Sequence, residues 1–564
     1  MKLDLQQVPF SRFGSYLSVS RFAEGRDRPA GLYLRTVRGD AMVRELLFVE
    51  PLRDGAPVPC RETATASLLR LDAEDGFVEF CLAEPKVLRI RGKGLGLRLS
   101  VPAYAGGEAF PVRDGAWELN LPQSRLKLNL SPVNGQLRVE APWKVTRCTR
   151  IVAEFGPARG RCDFEAAIEE FRTVCEPRRH LKAFEACVET VERDFRRLLK
   201  ALPLVPERYV EAAELAGYLL WSCTVDAEGL LKRPGILMSK NWMTHVWSWD
   251  HCFNAMALIA GFPKLGWDQF MLLADRRADS GQMPDFVDDA ALLWNYVKPP
   301  IHGWTLKRML ERSDGIDRKR LKEAYGFLSD WTKFWLDSRD ADGDGVPQYH
   351  HGNDSGWDNA TIFDGGMPVE APDLAAFLVL QMDVLSEVAL LIGKANASQK
   401  WRLRADRMLE NLLAHSWKGD RFVAPRSGDH HVVESDSLIL FLPLLLGQRL
   451  PEDVRGKLVA GLLEEGRFLT PHGLATESPR SPLYRPDGYW RGPIWAPPTL
   501  MLVEGLAACG EREKAIEIGR RFCDLCVREG FAENFDALTG QGLCDRAYTW
   551  TASVFLILAH EYLS

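Results

Sequence analysis

The 564-residue sequence is short of the features that would direct a chain to a membrane, to nucleic acid or to an oxidising compartment. Its first residues, Met1-Lys2-Leu3-Asp4-Leu5-Gln6-Gln7, carry no charged-then-apolar leader pattern. No uninterrupted apolar run approaches the ~18 residues that span a bilayer. Basic residues form no long run, and 71 Lys and Arg against 77 Asp and Glu leave a net charge of −6, which argues against a nucleic-acid partner. The 12 Cys follow no framework spacing. In a chain this large they read as reduced thiols, and a cytoplasmic protein is expected. Cys523 and Cys526 form a C-x-x-C pair inside a predicted helix, with neither a second pair nor a strand-to-helix context to make it a redox or metal motif. Gly92-Lys93-Gly94-Leu95-Gly96 lacks the strand–helix setting of a nucleotide-binding loop. His350 and His351 are adjacent but have no H-x-x-x-H or H-E-x-x-H spacing, which argues against a catalytic zinc. Nothing in the pattern marks an oligomeric state.

What is present divides in two. Residues 1–162 read as a β-sandwich of antiparallel strands. Stretches such as Gly31–Val37 and Gly76–Leu82 recur between Gly, Pro and Asp-Gly turns, and Leu88–Gly92 and Leu126–Leu130 alternate apolar with polar. Residues 163–204 read as a charged helical linker broken at Pro177. Residues 205–564 read as all-helical. One predicted helix starts at Pro372, carries Leu374, Phe377, Leu378, Leu385 and Val388 on a stripe, and stops at Gly393; a second runs from Ala397 to Trp417. About twelve such helices in sequential hairpins, with no fixed-period repeat, give an (α/α)6 barrel rather than a solenoid. The expected fold is thus multidomain, a β-sandwich followed by this barrel.

The helical region is interrupted by loops that bring aromatic and ionisable residues together. The chain's 17 Trp residues would suit sugars, whose C–H faces stack on rings, although core packing is the default for any single Trp. His351-Gly352-Asn353-Asp354-Ser355-Gly356-Trp357-Asp358-Asn359 holds two Gly, two Asn and two Asp, so it cannot be helix interior. It sets Asp358 directly after Trp357, and an indole wall raises a carboxyl pKa as a general acid requires; a capped turn would have the same composition. Glu533, in Phe531-Ala532-Glu533-Asn534-Phe535-Asp536, lies between apolar neighbours at the end of a predicted helix, as a base or as a buried ion-pair partner. Gly488-Tyr489-Trp490-Arg491-Gly492 and Val246-Trp247-Ser248-Trp249-Asp250 repeat the mixture, and Arg491 could donate two hydrogen bonds to neighbouring hydroxyls. Asp340, Asp342 and Asp344, with Gly345, match the opening of a calcium loop, but the twelfth position is His351 rather than Glu. An Asp-rich turn is favoured over a structural calcium site.

Taken in order, Trp249-Asp250, Gly281-Gln282-Met283-Pro284-Asp285, Lys298-Pro299-Pro300-Ile301-His302-Gly303-Trp304, Asp354 to Asn359, Tyr489-Trp490-Arg491-Gly492-Pro493 and Glu533-Asn534-Phe535-Asp536 resemble glycoside hydrolase family 63. The resemblance extends to the family 37 trehalases and to the mannosylglycerate and glucosylglycerate hydrolases, over residues 210–564. It implies an inverting exo-acting α-glycosidase, expected here to be an α-glucosidase acting on short oligosaccharides or small glucosides. Trehalase-like and glucosylglycerate or mannosylglycerate hydrolases are the alternatives. By position, Asp358 matches the general acid, with Asp354 its rival, and Glu533 the general base. Trp249, Asp250, Lys298, His302, Trp304, Trp357, Trp490 and Arg491 match the substrate-binding loops. Lys298 stands where some relatives have Gln; it would favour an anionic leaving group or pair with a neighbouring Asp. A small carbohydrate is the only partner implied, with no cofactor required. A phosphorylase would need an anion site in place of Glu533, and a sugar-binding protein would not need both carboxylates.

Overall fold

The computed structural model describes residues 1–175 and 181–564. It divides into two compact units: residues 1–200, 217–244 and 288–291 form one, and residues 201–216, 245–287 and 292–564 the other.

The first unit is built on two antiparallel sheets, one of seven strands and one of eight. The expected strands occur as Gly31–Thr36, Gly76–Glu84, Val87–Lys93 and Leu126–Asn134. Phe155 of the first sheet stacks on Phe164 of the second, ring centroids 6.4 Å apart, which joins their apolar faces. Gly92-Lys93-Gly94-Leu95-Gly96 is the turn between strands Val87–Lys93 and Gly96–Ser100, not a phosphate loop.

The helical-linker reading of residues 163–204 is corrected here. Asp163–Phe171 is a strand inside the eight-stranded sheet, paired with Leu126–Asn134 on one side and Val87–Lys93 on the other. Its Phe164, Ala166, Ala167, Ile168 and Glu170 are buried. The acidic residues that look like a solvated helix face are strand positions matched to basic partners: Glu165 pairs with Arg89 at 2.6 Å, and Glu170 with the buried Arg38 at 2.5 Å. Pro177, the expected break, lies outside the described residues. Phe184–Ala201 is helical as expected, but it packs on the sheet rather than bridging, with Arg91 over the Phe184 ring at 4.6 Å. The expected boundary near residue 205 also moves. Arg38 gathers Glu228 at 3.0 Å and Asp289 at 3.1 Å, so later segments of the chain return to the first unit.

In the second unit, helices form a closed cycle of contacts. Asp250–Leu258 touches His302–Arg312, which touches Pro372–Leu391, then the 3-10 segment Leu438–Arg449, then Ala496–Ala508, then Thr549–Glu561, which returns to Asp250–Leu258. Helices apolar on all sides belong in an interior, and every residue of Asp250–Leu258 is buried. Asp250–Leu258, Pro372–Leu391, Leu438–Arg449 and Ala496–Ala508 each also pack on the helix that follows them, respectively Pro263–Met271, Ala395–Ser416, Glu452–Leu462 and Arg512–Glu529. Pro372–Leu391 is capped as the sequence predicts, with Gly393 at φ +84°. By length and composition this helix would also cross a membrane, contrary to the reading that no segment approaches that length, but two thirds of its apolar window is buried against its neighbours.

Candidate active site

The candidate residues sit on loops that lead into the N-terminal ends of the cycle's helices. Trp249 and Asp250 open Asp250–Leu258, Lys298 precedes His302–Arg312, and Asp358 precedes Pro372–Leu391. Tyr489 and Trp490 precede Ala496–Ala508, and Glu533 precedes Thr549–Glu561. Each of these five helices thus turns its N-terminal, positive end toward a loop that carries a candidate residue.

The loop bearing Asp358 is held from within. Gly352–Ser355 makes one helical turn, capped where His351 Nδ1 accepts from the Asn353 amide at 3.0 Å. Asp354 is 1% exposed and fully engaged: Oδ1 accepts from Val297 N at 3.0 Å, and Oδ2 from Arg339 Nη1 and His350 N, both at 2.9 Å. Asp354 is thus a strut of the loop. Gly356 is required twice over, because its φ is +73° and a Cβ there would come within 2.4 Å of the Trp249 ring. Asp358 is left half-buried beside the buried Trp357.

Glu533 has the opposite setting. It is 4% exposed, beside the short ladder in which Asn534–Phe535 pairs with Ile494–Trp495 and Gly542–Leu543. Its amide donates to the Asp545 carbonyl at 2.7 Å, and its Oε1 accepts from the Tyr489 hydroxyl at 3.1 Å. Burial, with the nearby Asp545 and Asp358 charges, raises its pKa to about 7 against the pull of the Asp545 backbone and Tyr489 hydrogen bonds.

Tyr489, which the sequence reading did not single out, is the point of convergence. Its φ is +63°, and its carbonyl accepts from Trp495 Nε1 at 2.8 Å. Burial is the main cause that raises its pKa, and the nearby charges of Glu533, Asp358 and Asp250 add to the rise. Asp250 is 3% exposed; burial lifts its pKa well above the carboxylate range, against the attraction of Lys298 and with the repulsion of Asp285 and Glu533. Lys298 lies 3.0 Å from Asp285 and donates to the Asn353 carbonyl at 2.7 Å, so it pairs with a neighbouring Asp. Asp285 and Tyr548, also missed, share this environment. Burial raises Asp285 despite Lys298, with Asp358 adding to the rise, and burial with the Asp250 and Glu533 charges lifts Tyr548.

Other expected residues have structural surroundings. Trp490 is 1% exposed, stacked on Trp495 at 4.0 Å and 8° and lying 4.8 Å from Trp357, so its faces are spent on other indoles. Trp249 packs edge-on against Trp550. Arg491 does not reach for hydroxyls: Nε donates to the Asn359 carbonyl at 2.7 Å and its other nitrogens grip Asp364. With Asn359 Oδ1 accepting from Trp490 N at 3.0 Å, this stitches the Asp358 loop to the Tyr489 loop. His302 is fully buried against His251, Phe327 and Trp331, and desolvation keeps it neutral. Trp304 turns elsewhere and donates to Glu504 at 2.7 Å.

Among the described residues, three groups come close enough to share an ion: His251–Cys252–His302, Asp340–Asp342–Asp344, and Asp344–Glu370–His415–His430. In the second group the loop's own amides occupy much of the acceptor capacity. Asp340 accepts from Gly343 N at 2.9 Å and Gly345 N at 3.0 Å, and Asp344 from Val346 N at 2.8 Å.

Residues 243–551 match the family model described as the mannosylglycerate hydrolase MGH1-like glycoside hydrolase domain. The chain is 22% identical to a mannosylglycerate hydrolase of Rubrobacter radiotolerans, over 59% of this chain and 97% of that protein. It is 24% identical to a glucosylglycerate hydrolase of Mycolicibacterium hassiacum, over 55% of this chain and 91% of that one. A mannosylglycerate hydrolase of Thermus thermophilus is 35% identical over a shorter stretch, 21% of this chain and 28% of that protein. Among solved structures, a GH63 mannosylglycerate hydrolase from Thermus thermophilus in complex with glucose superposes with a TM-score of 0.54 at 19% identity, over 61% of this chain and 99% of the other.

Proposed function

Because this chain belongs to the mannosylglycerate hydrolase MGH1-like glycoside hydrolase family, we propose that it hydrolyses the bond between a hexose and glycerate. The α-glucosidase acting on oligosaccharides that the sequence alone favours gives way to this reading, since the relatives that align over most of their length are named for mannosylglycerate or glucosylglycerate. The observation that carries the proposal is the buried Glu533 hydrogen-bonded to Tyr489, with Asp358 and Asp250 near enough for their charges to act on the same phenol. A hydrolase needs two carboxylates at the scissile bond, and a third, Asp250, suits the hydroxyls of the sugar.

In the proposed mechanism Asp358 gives its proton to the glycosidic oxygen, and glycerate leaves as an alcohol. Glu533, ionised, takes a proton from a water whose oxygen bonds to the anomeric carbon on the opposite face. A pKa near 7 suits a base working close to neutrality. The Tyr489 hydroxyl fixes the carboxylate's orientation, and Lys298 balances the Asp285–Asp250 charge. Two carboxylates and water complete the reaction without a metal. The cycle of helices supports an (α/α)6 barrel whose inner ring presents these loops at one rim. The raised pKa also favours a second reading, in which Glu533 is the acid and the more exposed Asp358 the base; leaving-group dependence separates the two.

The test is a substrate panel of mannosylglycerate, glucosylglycerate, trehalose and maltose, with and without phosphate. Hexose release from a glycosylglycerate, independent of phosphate, is expected. Release only from trehalose or maltose, or only with phosphate, would overturn the reading.

A further inference from the structure

Glu370, two residues before Pro372–Leu391, is 0% exposed, and among the described residues its Oε1 accepts no hydrogen bond. Its amide is fixed to the Pro425 carbonyl at 2.8 Å, so the side chain is held in place. A buried carboxylate needs a cation, and the groups facing it are imidazoles. His415 Nε2, from the last turn of Ala395–Ser416, lies 2.8 Å from Glu370 Oε2, and His430 Nε2 lies 3.9 Å from the same oxygen. Asp344 Oδ2 completes the group, 3.3 Å from His415 Nδ1 and 3.6 Å from His430 Nε2. The two rings meet edge to face at 88°, so they approach a common centre from different directions. All four residues offer ligand atoms within 4.8 Å of one another.

These separations have a chemical meaning. Nitrogen and oxygen ligands bound tetrahedrally at about 2.0–2.2 Å lie roughly 3.3–3.6 Å apart, inside the 2.8–3.9 Å range of the observed spacings. Calcium prefers six to eight oxygens, whereas two imidazoles with two carboxylates select zinc and its neighbours. We propose that Asp344, Glu370, His415 and His430 form a structural site for a divalent transition metal of the zinc class, separate from the catalytic carboxylates. The ion would clamp the segments bridged at Tyr349, Val369 and Arg426, which lie next to the loop that carries Asp358.

The experiment uses the full chain without an affinity tag, stripped with EDTA. It reads bound zinc by elemental analysis and melting temperature after addition of zinc chloride or calcium chloride. The expected result is one equivalent of zinc and a rise of several degrees with zinc alone, as a ligand held only by the folded state produces. His430→Gln, at a half-exposed loop position where folding is not at stake, removes a ligand and should weaken zinc binding by about 10-fold or more, at least what loss of an outer-shell partner costs, and abolish the rise. It should match the wild type in EDTA. His415→Gln should do the same if it folds. Substoichiometric zinc, an equal rise in wild type and His430→Gln, or a rise with calcium that survives His430→Gln would overturn the proposal. The last of these would place the ion in the Asp340–Asp344 turn.

Discussion

The two loops that supply the carboxylates are built on opposite plans. The Asp358 loop is rigid through its own polar contacts: Asp354 braces it on Arg339, and Asn359 and Arg491 tie it sideways, leaving Asp358 half-open. The Glu533 loop is rigid through burial, with a three-strand ladder and the Tyr489 hydroxyl fixing a carboxylate that has almost lost contact with water. One loop makes a carboxyl accessible, and the other makes it costly to ionise. If the pair acts as proposed, this asymmetry gives the two carboxyls different protonation behaviour, where identical environments would leave them competing for the same state.

The largest effects should come from removing either carboxyl. Asp358→Asn and Glu533→Gln are each expected to lower turnover by about 10²–10⁴-fold, the scale of acid–base catalysis, with circular dichroism unchanged. An aryl glycoside with a good leaving group should recover much of the Asp358→Asn loss and none of the Glu533→Gln loss. The reverse pattern would exchange the two roles.

Asp354→Asn breaks the brace instead of the chemistry. Taking one partner from a buried ion pair costs about 3–5 kcal/mol, so the melting temperature should fall clearly. The accompanying loss of activity should be the same for good and poor leaving groups. A loss that vanishes with a good leaving group would make Asp354 the acid.

Smaller effects should follow pH. Glu533 binds its proton more tightly in the folded state, since its pKa rises from 4.5 to about 7. Folding therefore loses stability from this group as pH climbs between those values, by roughly 3 kcal/mol in all. Glu533→Gln should melt higher than wild type at pH 8 and no higher at pH 4. In the wild type the acidic limb of kcat/KM should bend near pH 7. Tyr489→Phe removes a hydrogen bond that favours the ionised form, so the bend should move upward, with about a tenfold loss at pH 6 that shrinks at pH 8. An unmoved limb would mean that Tyr489 does not position Glu533.

The sequence was legible where one loop's composition excluded every regular element, as at His351 to Asn359, and where periodicity was undisturbed, as at Pro372–Leu391. It misled at Asp163–Phe171, where acidic residues matched by Arg38 and Arg89 across a sheet look like a solvated helix face until their partners are known. At the site, single carboxylates beside aromatics could be picked out in order. Tyr489, Asp285 and Tyr548 could not, because their roles come from contacts between distant segments. Trp490 and Arg491 have the right chemistry for sugars but spend it on Trp495 and Asp364, a choice that only the assembled loops reveal.

The central claim, that Asp358 and Glu533 act on opposite faces of one anomeric carbon, is tested most directly by following hydrolysis of an α-linked glycosylglycerate by proton NMR before mutarotation. A pair with room for a water between sugar and base inverts configuration. The account predicts the β-anomer of the released hexose as the first product; the α-anomer appearing first would contradict it.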